Sequence, residues 1–109
     1  MKMENDKVPE LTNGEFYDFI KEGIVVIDFF AEWCMPCLMM APVIEDMAEK
    51  FKGKIKFGKV NVGDNEDIAQ EFEVSSIPNF TILKNGEKID SFTGAVSAEE
   101  FEEKLRGYL

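Results

Sequence analysis

Residues 24–30, IVVIDFF, set six apolar side chains and one aspartate in an unbroken run. The run is β-branched and aromatic and lacks the strict alternation of a strand with one wet face, so it reads as a strand buried on both faces. Such a strand needs a covering layer on each side. The stretch CLMMAPVIEDMAEKF (37–51) places Ile44, Met47, Ala48 and Phe51 on one stripe of a long helix that should end near Gly53. Pro42 lies inside it and is expected to kink it. KIKFGKVNV (54–62) alternates and reads as a second strand. Strand, helix and strand in this order imply a right-handed crossover between parallel neighbours.

The remaining segments complete the layers. Thr12 and Glu15 form a capping-box pattern that opens a helix at about 13–22, with Phe16, Phe19 and Ile20 inward and Gly23 as its stop. VPEL (8–11) is extended at best, because Pro9 fits only on an edge, and residues 1–7 are expected to fray. Asp64 or Asn65 caps a short helix through about Phe72, with Ile68, Ala69 and Phe72 inward. NFTILK (79–84), NG (85–86) and EKIDSFTG (87–94) make a hairpin around a type I′ turn. Ser97 and Glu100 form a second capping box for a terminal helix with Phe101 and Leu105 inward. The order (β)αβαβαββα defines the α/β class: a mixed central sheet with helices on both faces, expected as a single domain over residues 1–109.

A net charge of −10 with a single arginine argues against nucleic acid, which needs clustered cations; a well-solvated surface explains the charge. MKMENDKVPELTNGEF has no apolar core of a secretory signal, and IVVIDFFA is too short to span a bilayer. The expectation is a cytoplasmic, monomeric protein with no membrane contact.

Cys34 and Cys37 are the only cysteines. A zinc site needs about four ligands and the chain has no histidine, so a metal clip would require carboxylates or a second chain. As a structural staple, a ring of four residues contributes roughly 2 kcal/mol in the loop-entropy model and constrains little that a helix does not already fix. A redox role explains the placement. The strand ends near Phe30, AEW makes the turn, and Cys34 falls at a helix N-terminus, where free N–H groups and the macrodipole favour a thiolate. Pro36 is tolerated in the first turn, and Cys37 is one turn deeper, within reach of a mixed disulfide on Cys34.

VVIDFFAEWCMPC resembles the active-site strand and loop of the thioredoxin family, whose usual form is WCGPC. KVNVGDN, SSIPNFTILKNGE and FTGA resemble later segments of that family in order and spacing, so the similarity covers about residues 8–109. It implies a thioredoxin fold with four flanking helices and the CxxC at a helix tip. Asp28 matches the family's buried aspartate. Burial raises a carboxyl pKa, which suits a general base for Cys37, although an aspartate at an exposed strand end would do nothing. Lys59 falls where the family often has a lysine near that aspartate; on the pattern alone it is a surface lysine. Pro78 matches a cis-proline facing the dithiol, with Ile77 offering backbone groups to a substrate segment; otherwise it is an ordinary strand-entry proline. Gly94 matches a small residue beside the groove, where a backbone must approach closely.

Trp33, Met35, Pro36, Ile77, Pro78, Thr93, Gly94 and Ala95 would then form a mainly apolar contact patch around Cys34. Met39, Met40 and Met47 are expected in the core, from their helical spacing. Three departures stand out: Met35 replaces glycine between the cysteines, Leu38 stands where lysine or arginine often follows the second, and Phe30 replaces a frequent tryptophan.

The resemblance implies a general thiol–disulfide oxidoreductase that reduces protein disulfides through Cys34 and Cys37. It implies no bound cofactor beyond that disulfide, a thioredoxin reductase (NADPH- or ferredoxin-linked) as electron donor, and disulfide-containing proteins as clients. The rivals are a disulfide oxidant or isomerase, and a binding module of the same fold with an incidental dithiol.

Overall fold

The computed structural model describes residues 7–109. Its elements run α1 (Asn13–Ile20), β1 (Ile24–Phe30), α2 (Met35–Lys50), β2 (Ile55–Asn61), α3 (Glu66–Glu71), β3 (Asn79–Lys84), β4 (Glu87–Thr93) and α4 (Ala98–Arg106). Expected fraying falls on residues 1–7; the first six lie outside the described residues, and Lys7 forms an ion pair with Glu49 at 3.0 Å.

One four-stranded sheet runs in the order β2-β1-β3-β4. β1 pairs parallel with β2 and antiparallel with β3, and β3 pairs antiparallel with β4. The apolar run therefore occupies an interior position, and its five middle residues are buried. Period-two alternation divides them between two cores. Val26 joins Phe80 and Ile82 under α2 and α4, where Ile44, Met47, Phe101 and Leu105 close one face. Val25, Ile27 and Phe29 meet Phe16 and Ile20 of α1 and Ile68 of α3 on the other.

Local chemistry sets the boundaries. Both capping boxes form: Glu15 accepts from the Thr12 N–H at 3.0 Å, and Glu100 accepts from the Ser97 N–H at 3.2 Å. α1 ends before Gly23, which has φ +78, and the 85–86 turn has φ +51 and +87, the signs a type I′ hairpin needs. α2 continues through Pro42, which denies the Leu38 carbonyl its usual donor.

Pro9 lies on the edge through its carbonyl. The Lys59 N–H donates to Pro9 O at 2.9 Å, and the Leu11 N–H donates to Lys59 O at 2.8 Å, so residues 8–11 flank β2. The strap depends on Gly58, since a Cβ there would lie 2.7 Å from Leu11 Cδ1 and 3.1 Å from Phe19 Cε2. Leu11 is buried and its backbone is held to Lys59, so a methyl group at Gly58 forces the Leu11 side chain to repack. Gly58→Ala is expected to cost about 1–2 kcal/mol with the fold retained, read as a lower urea midpoint at constant m.

The methionines correct one expectation. Met40 and Met47 are buried as their spacing suggests, but Met39 is 70% exposed. It occupies the solvent side of α2 with Leu38, directly after Cys37.

Candidate active site

The C-terminal ends of β1, β2 and β4 and the N-terminal end of β3 lie at the same end of the sheet. There β1 gives way to the turn AEW, closed by the Cys34 N–H donating to Ala31 O at 3.2 Å. Cys34 is the N-cap of α2 in extended conformation. Its Sγ accepts from the Cys37 N–H at 3.2 Å, and its carbonyl accepts from the Leu38 N–H at 3.1 Å. The first sulfur thus caps the helix, a position where an anion is favoured. Pro36, in the first turn, loses no hydrogen bond.

Cys34 and Cys37 are joined in a disulfide, with their Cα atoms 5.3 Å apart. Both are buried, in a small cluster with Ala31 that Phe30, Val62 and Ile77 pack against. Among the described residues no group of three or more His, Cys, Asp and Glu converges on a point that could hold a metal. Nor is any helix long and apolar enough to cross a membrane.

Asp28 lies two residues before Phe30, on the β1 face turned toward α2 by alternation from Val26. It is 6% exposed, and its Oδ1 has no hydrogen-bond partner among the described residues. Burial pushes its pKa from 3.8 up to about 7, against the opposing pull of the Lys59 charge. Lys59 is the register partner of Asp28 on β2 and is half-buried, with Nζ 5.6 Å from the Phe30 ring centroid.

The Ile77–Pro78 peptide is cis, and Pro78 is buried. Its carbonyl accepts from the Gly94 N–H at 2.9 Å, which ties the entry of β3 to the exit of β4. Gly94 has φ +88, a backbone angle that favours glycine, and a Cβ there would meet nothing within 4 Å, so the space beside it is open. Trp33 is 78% and Met35 64% exposed, Pro36, Thr93 and Ala95 are exposed, and Ile77 is half-buried.

Sequence reading missed part of this surface. Trp33 and Ile77 also line an open groove of about 210 Å³ with Val62, Val74, Ser75 and Ser76. SSIP immediately precedes β3, so its position before the strand-entry proline was the available signal.

A four-residue dithiol ring at a helix tip, a buried carboxyl titrating near neutrality beneath that helix and an apolar surround define a thiol–disulfide oxidoreductase. A sequence model of the family described as Thioredoxin matches residues 7–107. The chain belongs to the thioredoxin family. It is 42% identical over 104 residues to thioredoxin of Porphyra purpurea, covering 94% of this chain and 97% of that one. It is 37% identical over 102 residues to thioredoxin of Staphylococcus saprophyticus, covering 94% and 98%. Thioredoxin 1 of Nostoc sp. is 41% identical over 85 residues, covering 78% and 79%. Like its family, the protein is a general protein-disulfide reductase with a redox-active Cys34–Cys37 pair.

Proposed function

We propose that the chain works as a cytoplasmic, single-domain, monomeric electron carrier in cell redox homeostasis, reducing client proteins in two exchange steps. The Cys34 thiolate, stabilised by the free N–H groups at the start of α2, attacks one sulfur of a client disulfide. The client S–S bond breaks, a client thiolate departs and takes up a proton, and Cys34 carries a mixed disulfide. Cys37 then gives its proton to the Asp28 carboxylate and attacks Cys34 Sγ. The second client sulfur leaves and is protonated. Two electrons have passed to the client, and the Cys34–Cys37 bond is restored.

Lys59, on the neighbouring strand, favours the ionised form of Asp28 and keeps it able to accept a proton near neutral pH. Ile77 and Pro78 offer backbone to an extended client segment, flanked by Trp33, Met35, Pro36, Thr93, Gly94 and Ala95. A thioredoxin reductase, NADPH- or ferredoxin-linked, returns two electrons to the disulfide.

The observation that carries this reading is the sulfur cap: Cys34 Sγ accepts from the Cys37 N–H at the end of α2 while bonded to Cys37 Sγ. Insulin reduced in the presence of dithiothreitol tests it. The wild-type chain is expected to precipitate the insulin B chain well ahead of dithiothreitol alone, and Cys34→Ser to give no acceleration. Equal rates for the two proteins would refute the scheme.

A further inference from the structure

Charge is distributed unevenly along the strand axis. At the disulfide end, the segments between elements carry Glu32 and Asp64, and α3 opens with Glu66; all three are exposed. Those segments hold no lysine or arginine. The opening turn of α4, at the same end, adds Glu99 and Glu100. The first charge on α2 is again an acid, Glu45. The nearest cation on β2, Lys59, is half-buried beside the Phe30 ring. At the other end Lys21, Lys52, Lys54 and Lys84 intersperse with Glu22 and Glu87.

Inside the acidic ring lies an apolar island. Trp33 is 78%, Met35 64%, Leu38 54% and Met39 70% exposed, and the island is continuous with the disulfide through Cys34 and Cys37 on the same helix turn. A solubilising charge would need no such segregation. An anionic rim around an apolar centre steers cationic partners and repels anionic ones.

We propose that the preferred substrates are protein disulfides whose cysteines are flanked by apolar residues and then by lysine or arginine. The apolar flank covers Met35, Leu38 and Met39, and the cations face Glu32, Asp64 and Glu66. This rests on the thiol–disulfide reading above and names the substrate class for that site; the chemistry is the same two-step exchange.

Three disulfide peptides of identical apolar sequence, flanked by Lys, Gln or Glu, provide the test. Each rate is divided by that peptide's own rate with dithiothreitol, which removes the intrinsic effect of charge on the sulfurs. The normalised kcat/KM is expected to favour the Lys peptide over the Glu peptide by about tenfold or more at low salt. The ratio should fall toward one in about 1 M salt, where charges are screened within about 3 Å. Glu32→Gln with Asp64→Asn, both on exposed side chains, should shrink the low-salt ratio several-fold. Equal normalised rates for the three peptides overturn the inference while leaving the reductase reading intact. A Gln peptide reduced no faster than by dithiothreitol alone overturns both.

Discussion

Cys37→Ser accumulates client proteins as mixed disulfides on Cys34, whereas the wild-type chain releases them. The second step needs a sulfur nucleophile within bonding distance of Cys34 Sγ, and the Cys34–Cys37 bond places Cys37 there. Serine keeps the size and position of that side chain but has no thiolate to offer at neutral pH. The adduct then persists until external thiol resolves it, on the order of minutes to hours without catalysis. Non-reducing gels and intact mass after mixing with a client disulfide read the result: one covalent adduct on Cys37→Ser, none on Cys34→Ser. A Cys37→Ser variant that forms no adduct with a client the wild type reduces would rule out attack by Cys34.

Asp28→Asn stabilises the oxidised protein, by an amount that grows with pH. Burial raises the native carboxyl pKa to about 7 from 3.8. Between these values the unfolded chain has released its proton while the native state still holds it. The contribution of Asp28 to wild-type stability therefore falls as pH rises through this window, and above about 7 the full cost of a buried carboxylate is present. The interval corresponds to about 4 kcal/mol. Asparagine has no charge to desolvate at any pH, so the variant's advantage at pH 8 should exceed that at pH 4 by about this amount. Comparing pH values cancels any fixed cost of burying the amide. Urea titrations of both proteins at the two pH values measure it; an advantage independent of pH would show that Asp28 titrates normally. The same substitution removes the proton acceptor for Cys37, so turnover should slow and lose its inflection near neutral pH.

The sequence made the central layer of this protein readable because the physics there is local. A run apolar on both sides of a strand has to be interior, and IVVIDFF is. A capping box leaves the same trace in sequence and structure at Thr12 and Ser97. The position of Cys34 at a helix start followed from where the strand had to end. What could not be read depended on tertiary context. Helical spacing cannot distinguish Met39 from Met40 without knowing which face of α2 meets the sheet. The positive φ of Gly94 could not be read from its neighbours in sequence. The groove beside Trp33 joins residues from three separate stretches, brought together only when β2 and β3 flank β1.

The strap of residues 8–11 has a consequence for association between sheets. A sheet flanked by open edges would invite lateral strand addition from any client that exposes unpaired backbone. Here the β2 edge is occupied at Lys59 on both its N–H and its carbonyl, and the β4 edge carries Glu87, Lys88 and Asp90 beside an irregularity in its register with β3. Both borders discourage templated growth, so the sheet offers no ready template for lateral strand addition.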